Sequence, residues 1–396
     1  MNQAAANNVK HLLVIRTGQW FLILMPFIYP YFQSKGLSIG EILSLQSIYS
    51  ITCALMEVPS GYFSDKLGRR KTMILGCLFY LIAYLFFTLG FGFWQIGIGE
   101  IFWGIGVSFL SGTDSALLFE SLRVNKRLGE YKKVEGKAVS IGNISEASAG
   151  IVGGLLASFA IDLPMYAQCL VTLTVFIYSF RLTDTHEASL RKTSFSHDFK
   201  KLIYHKIKRN PTLFWTLISS AIFGLTTLSF AWMAQPLFLH HDIPIKWFGI
   251  IWTILNLIVA LGSRFAHLLD QIMESHLLFS IVLLVFSIAT YSTGIFNNLW
   301  GLAFILFVIY LFRGIGTPLY RAYILEFSDD YDRATLLSIR NLIIRVLFGI
   351  SSFFLGIICD LYSIKTAFQL LSIPIVIGLI IELRLHFITK KKASKI

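Results

Sequence analysis

Charge is what this sequence has least of. Only 14% of its 396 residues are Asp, Glu, Lys or Arg, against roughly 25% in a soluble domain, and that shortage excludes a water-soluble globule. Cysteine is scarce too. Cys53, Cys77, Cys169 and Cys359 stand singly in apolar stretches without C-x-x-C or zinc-like spacing, so they read as small core residues. No G-x-x-x-x-G-K-[ST] loop occurs, which removes the evident route to ATP as an energy source. No nucleophile stands with an aligned base, so the chain is not expected to be an enzyme; a membrane-embedded transferase, the remote alternative, would need such a constellation near one membrane face. The opening MNQAAANNVKHLL lacks the charged start and small-residue cleavage site of a signal peptide, and the N-terminus is expected to be retained.

What the sequence has in abundance is apolar surface: 55% hydrophobic residues, with 35 Phe, 16 Tyr and 8 Trp suited to lipid-facing and interfacial positions. The apolar residues come in blocks near 11–33, 40–63, 72–90, 93–118, 137–160, 164–183, 212–236, 246–268, 276–295, 299–323, 334–359 and 366–388. Each is long enough for a transmembrane helix of about 20 residues. Twelve crossings use about 240 residues and leave short connections, with no room for a soluble domain. The expected fold class is therefore an all-α membrane protein.

The net charge of +12 has to be mapped before it is interpreted. With the N-terminus inside, 24 basic residues fall in inner segments (Lys10, Lys66–Lys71, Arg123–Lys137, Arg181–Arg209, Arg333 and Lys390–Lys395), while the outer loops hold only Lys35, Lys246 and Lys365. That asymmetry orients the chain with both termini cytoplasmic. The basic surplus is topological and excludes nucleic acid as a partner.

One connection, 184–211, is much longer than the rest, and it predicts an N-terminal six-helix bundle over 1–183, a cytoplasmic linker loop, and a C-terminal six-helix bundle over 212–396 with a short basic tail. The halves share local sequence at equivalent places. FWGIG at 102–106 echoes FRGIG at 312–316, and SIGN at 140–143 echoes SIRN at 338–341, as a duplicated six-span unit would produce.

The strongest local signal is Gly61-Tyr62-Phe63-Ser64-Asp65-Lys66-Leu67-Gly68-Arg69-Arg70-Lys71, between the second and third spans. Gly61 would let one helix end approach its neighbour and Gly68 would supply a turn that a side chain obstructs. Asp65 can face the positive end of a helix. Arg69 and Arg70, beside Lys66, can pair with Asp114 and Glu120 at the inner end of span four. Such pairs would form only while the inner ends are together, which makes the segment a conformational latch. It resembles the signature G-x-x-x-D-[RK]-x-G-[RK]-[RK] of the major facilitator superfamily at every position. The resemblance implies two pseudo-symmetric six-helix bundles rocking about a central cavity, and a latch for the outward-open state.

Span five resembles, more weakly, the antiporter pattern G-x8-G-x3-G-P-x2-G-G of that superfamily, at Gly136, Ser145, Ala149, Gly150, Gly153 and Gly154. Small residues permit close helix packing there, but the proline is missing. Where many members have R-x-x-Q-G on span four, this chain has Glu100-Ile101-Phe102-Trp103-Gly104; the charge is inverted, and Glu100 is either a proton carrier or an interfacial side chain.

Ionisable residues inside a membrane are costly and mark function or a partner. Glu146, Arg313 and Arg345 lie near the middle of their spans, Arg16 in the inner third of the first. Asn143 and Glu146 share one face of span five, as Asn341 and Arg345 do of span eleven. Glu146 is the leading proton-coupling candidate, with Glu100 behind it; a permanent structural pair with Arg313 or Arg345 is the alternative. Arg16, Asn143, Arg313, Asn341 and Arg345 are the candidate substrate-cavity residues, the arginines being suited to an anionic group. Asp114, Glu120, Arg264, Arg321, Arg340, Glu382 and Arg384 are assigned to snorkelling near the inner ends. His240-His241-Asp242 is not expected to bind metal, because adjacent side chains diverge.

The expected protein is a monomeric secondary transporter of a small organic solute in a bacterial-type inner membrane, driven by a proton gradient and needing no cofactor. Export is marginally favoured over import of an anionic metabolite or siderophore.

Overall fold

A computed structural model describes residues 3–184, 206–328 and 333–393. Among these residues all regular structure is helical. Fourteen α-helices follow in order: α1 (Gln3–Trp20), α2 (Ile28–Ser34), α3 (Ile39–Leu67), α4 (Arg69–Leu89), α5 (Gly92–Leu110), α6 (Thr113–Val124), α7 (Tyr131–Phe159), α8 (Leu163–Ser179), α9 (Pro211–His240), α10 (Phe248–Ile272), α11 (Ser275–Thr293), α12 (Leu299–Glu326), α13 (Arg333–Leu361) and α14 (Ile364–Ala393). Eleven helical stretches are long and apolar enough to cross a membrane, and α8 is a shorter apolar helix of 17 residues, reaching about 26 Å. Two of the crossings, 6–34 and 92–124, are each made of two helices end to end. Trp94 near the start of α5 and Trp300 near the start of α12 are 79% and 85% exposed, as interfacial aromatics are.

The interruption in the first crossing has a local cause. Pro26 lies in a one-turn 3-10 helix, Met25–Phe27, and supplies no N–H for a bond to the Leu22 carbonyl, so the helix that ends at Trp20 cannot run on unbroken through this point. Two backbone N–H groups beyond Trp20, on Ile23 and Leu24, turn to the side-chain oxygen of buried Gln168 on α8, at 2.7 and 3.5 Å. The other interruption falls at Ser111–Gly112, where Gly112 has φ +78°.

The chain forms two compact units. The first comprises Met1–Leu37, Ile48–Phe195 and Pro244–Ile250. Its core joins Leu12 and Ile15 of α1 to Met73 and Cys77 of α4, Leu117, Leu118 and Leu122 of α6, and Leu182. Asn8 ties the same helices together by donating to Ser121 Oγ and the Thr183 carbonyl. The second comprises Ser38–Ser47, Ser196–Ile243 and Ile251–Ile396. It is built round Leu213 and Leu217 of α9, Ile324 of α12, and Leu336 and Ile339 of α13, with Phe279 stacked on Tyr320 at 4.0 Å.

Two short pieces depart from the expected split into 1–183 and 212–396. The start of α3 belongs to the second unit, where the Ser38 hydroxyl and the Gly40 N–H donate to Asp360 at 2.7 and 2.9 Å. The segment 244–250 belongs to the first, where a Cβ on Gly249 would strike the Gly150 carbonyl. The expected linker 184–211 lies outside the described residues over 185–205.

The sequence echo at 102–106 and 312–316 has a structural counterpart within each unit. A Cβ on Gly104 would lie 2.9 Å from Thr52 on α3, and one on Gly314 would strike the Val259 carbonyl on α10. Cys53 Sγ donates to the Gly104 carbonyl at 3.6 Å, and Ser263 Oγ to the Gly314 carbonyl at 3.0 Å. Both crossings use the same glycine to bring two helix backbones together.

Candidate functional site

The loop between α3 and α4 holds its shape through Gly68, whose φ of +92° is a conformation open to glycine alone at little cost. Its charges divide differently from expectation. Arg69 pairs with Asp65 at 2.8 Å and with Glu120 at 3.3 Å, and donates to Ser64 Oγ at 2.7 Å. Asp65 thus pairs with Arg69, the first residue of α4. Among the described residues Arg70 forms no ion pair. It donates to the carbonyls of Leu182 at 2.6 Å and Phe180 at 3.4 Å, just past the end of α8, where unpaired carbonyls attract a cation. Lys66 stands over the ring of Tyr62 at 5.6 Å. A Cβ on Gly61 would meet nothing within 4 Å, so close helix approach is not its role.

Asp114, expected to receive Arg69 or Arg70, is held by Arg16 instead. The guanidinium of Arg16, only 7% exposed, binds Asp114 through Nε at 2.7 Å, Glu135 through Nη1 at 2.8 Å and Ser115 Oγ through Nη2 at 2.8 Å. The Ser115 hydroxyl in turn donates to Glu135 at 3.2 Å. Three helices supply this cluster: Arg16 comes from α1, four residues before its end; Asp114 and Ser115 open α6; Glu135 lies near the start of α7. Two carboxylates share one guanidinium, and both keep some access to solvent, at 19% and 30% of side-chain surface. The sequence places Arg16 among the candidate substrate-cavity residues. Its valences are taken up because α6 begins at the interruption, which brings Asp114 and Ser115 to α1.

On α7, Asn143 is exposed and Glu146 half-buried. Ser145, Ala149, Gly150 and Gly153 are buried and Gly154 is half-buried. A Cβ on Gly153 would strike the Ile23 carbonyl and reach the Phe27 ring, and the Gly150 carbonyl receives Gly249, so this part of the small-residue stripe packs closely. Gly136 does not: it is exposed, with open space where a Cβ would go, because it lies only five residues into the helix. Glu100 on α5 is fully buried, which removes the interfacial reading.

In the second unit, Asn341 is exposed and Arg345 half-buried on α13. Arg313, half-buried near the middle of α12, has its guanidinium carbon 5.6 Å from the centroid of the Tyr310 ring. Among the described residues it forms no ion pair.

Two residues assigned to snorkelling are not at the surface. Arg340 is 8% exposed and donates to Ser220 Oγ at 2.6 Å. Glu382 has no exposed surface, and its carboxylate is bonded to His276 Nδ1 at 2.7 Å and to the hydroxyls of Ser219 and, at 3.4 Å, Tyr320. The other nitrogen of His276, Nε2, lies 2.8 Å from the Tyr323 hydroxyl. The signal that could have found Glu382 is the length of α14. The helix runs on to Ala393, so a glutamate eleven residues from its end has no water to reach. Just past the end of α9, burial lowers the pKa of His241, with His240 and Lys365 adding to the effect. The described residues contain no grouping of three or more His, Cys, Asp or Glu placed to hold a metal ion.

Comparison with known proteins agrees with this architecture. The family model for the Major Facilitator Superfamily matches residues 13–274. The chain is 23% identical over 287 residues to an uncharacterised MFS-type transporter of Methanocaldococcus jannaschii, covering 68% of this chain and 70% of that one. It is 24% identical over 239 residues to the chloramphenicol resistance protein CraA of Acinetobacter baumannii, covering 55% and 56%. Its fold is similar to the crystal structure of the nucleoside transporter NupG, with a TM-score of 0.78 at 12% identity over 98% of this chain and 99% of that one. It is also similar to that of a D-xylose-proton symporter, with a TM-score of 0.69 at 14% identity over 96% of each. The chain belongs to the Major Facilitator Superfamily, as a multi-pass membrane transporter of a small molecule and not an enzyme.

Proposed function

We propose that the chain is a proton-coupled exporter of a small organic solute, inserted with both termini cytoplasmic, driven by a proton gradient without a cofactor, and active as a monomer. The observation that carries proton coupling is the Arg16 cluster. Two carboxylates from α6 and α7 share one guanidinium from α1, so the group holds one negative charge in excess within membrane-crossing helices, where an uncompensated charge is costly. A proton on either acid removes that excess, and both acids remain partly open to water. The cluster also stands beside the interruptions of two crossings, and discontinuous helices are where transporters place ion and substrate sites. Glu146 remains a second proton carrier in this reading, and Glu100 a third.

Export is supported by the likeness to a chloramphenicol resistance protein and by the small-residue packing of α7. The test is energised uptake of labelled chloramphenicol, then of a wider solute panel, into inside-out vesicles. Accumulation that collapses with the proton gradient, and that Glu135→Gln and Glu146→Gln each abolish without loss of protein, is the expected result. Accumulation indifferent to the gradient would overturn proton coupling. Uptake of a carboxylate into right-side-out vesicles alone would overturn export.

That last outcome is the second reading, import of an anionic solute. It is favoured by Arg313, a half-buried guanidinium in mid-crossing with an aromatic ring beside it and no carboxylate partner among the described residues.

A further inference from the structure

The most enclosed titratable pair in the described residues lies away from the Arg16 cluster, in the second unit, and nothing above gives it a task. His276 and Glu382 are 1% and 0% exposed. Four helices close round them: α9 contributes Ser219, α11 His276, α12 Tyr320 and Tyr323, and α14 Glu382. Buried polar groups in such number are expected to be fully bonded, and here they are fully bonded in two different ways. With the imidazole neutral, Nδ1–H donates to the Glu382 carboxylate while the Tyr323 hydroxyl donates to Nε2. With the imidazole protonated, Nδ1–H still donates to Glu382, and Nε2–H donates to the Tyr323 oxygen once that hydroxyl hydrogen has turned away. No heavy atom has to move between the two. The pair carries one negative charge in the first arrangement and none in the second.

We infer that His276, with Glu382 behind it and Tyr323 in front, is a proton-binding site of the second unit, in which one proton from solvent adds to Nε2 and converts a charge-to-neutral hydrogen bond into a buried ion pair. Tyr323 is the route. It is half-buried, whereas the imidazole is enclosed, so its hydroxyl is the polar atom that joins the ring to the outside. The other charged groups are placed to leave the ring in control. From α12, Glu326 lies near Tyr323, as does Glu274 just before α11, and both favour a cation at this spot. Glu274 is itself engaged by His386 of α14 at 2.7 Å. From α13, Arg340 is bonded to Ser220, next to Ser219, and it interacts with Tyr320 and Arg321. The consequence is mechanical as well as electrostatic. The proton strengthens the join between the start of α11 and α14, because a bond between two ionised groups is stronger than one with a neutral donor.

This inference stands whether or not solute movement is proton-driven, and its test needs no solute. The full chain is labelled with 15N at its nine histidines, placed in liposomes, and its ring nitrogens are followed by solid-state NMR between about pH 8 and about pH 5. One Nε2 signal, absent in His276→Asn, is expected to change from a bare acceptor to an N–H. In Tyr323→Phe the same transition is expected with proton affinity weakened by about threefold to tenfold, since the bond to the ionised ring is the stronger of the two lost. In Glu382→Gln the weakening is expected to be about tenfold or more. If His276→Asn does not fold, the signal displaced in Tyr323→Phe identifies the ring. A His276 ring that stays in one state across the range overturns the site, and a transition whose midpoint Tyr323→Phe leaves unshifted overturns the part given to Tyr323.

Discussion

The two units fasten the same pair of helices at the same end in different ways. In the first, the start of α4 is joined to the end of α8 by Arg70, which donates to two backbone carbonyls. In the second, the start of α11 is joined to α14 by His276 and Glu382. The reason is helix length. α8 stops at Ser179 and leaves carbonyls for a cation to collect. α14 continues to Ala393, so its carbonyls at that level are used within the helix, and a side chain must be the acceptor. A guanidinium stays charged at any physiological pH, whereas an imidazole against a carboxylate does not. Duplicated architecture has yielded one fixed join and one that responds to pH.

The comparison is broken or sharpened first by removing the acceptor. Glu382→Ala strands His276, Ser219 and Tyr320 without a carboxylate in a fully enclosed place, and a loss of about 3–5 kcal/mol is expected, read as a lowered thermal unfolding midpoint in detergent. Equal loss in Arg70→Ala would erase the distinction. The next largest effect belongs to Arg16→Met. It leaves Asp114 and Glu135 facing each other without their cation, but both reach water, so about 1–3 kcal/mol is expected. Asp114→Asn in the same background should recover part of it, because the repulsion is then gone. No recovery would mean that Arg16 acts by packing alone. Gly68→Ala comes third. The residue sits at φ +92° and ψ 151°, a region nearly closed to side chains, and about 1–3 kcal/mol of strain follows, measurable against Gly61→Ala, where open space and a helical backbone predict little change.

The sequence carried the apolar helices and the charged loop, because each is written in runs or spacings that local physics enforces. FWGIG and FRGIG were legible as a repeat for the same reason: each places a glycine where two backbones meet. What was not legible depended on where helices stop. Pro26 marks a break in the first crossing, but nothing local says that the helix stops as early as Trp20, or that Gln168, distant in the chain, will accept the N–H of Ile23. Once the second interruption at Ser111–Gly112 starts a new helix, Asp114 turns to Arg16 and leaves Arg69 to Asp65 and Glu120. Glu382 was misplaced through the same blindness. An apolar run that fades into lysines looks like a helix end, and only the continued helix shows that the glutamate is shut in.

The smallest expected effect is the most discriminating for the fixed join. Arg70→Ala removes a partly exposed guanidinium and leaves the Phe180 and Leu182 carbonyls free to bind water, so it should lower stability by about 1 kcal/mol. The size matters less than its pH dependence. A carbonyl has no proton to exchange and Arg70 none to lose, so the deficit of Arg70→Ala relative to the parent chain should be the same at about pH 5 and about pH 8. The deficit of His276→Asn, by contrast, should grow toward the acid side, where the parent gains its ion pair. Parallel unfolding curves at the two pH values for both variants would show the two joins to be equivalent. A flat deficit for Arg70→Ala beside a sloping one for His276→Asn would tie the pH response to the single place where helix length forced the exchange of a carbonyl for a carboxylate.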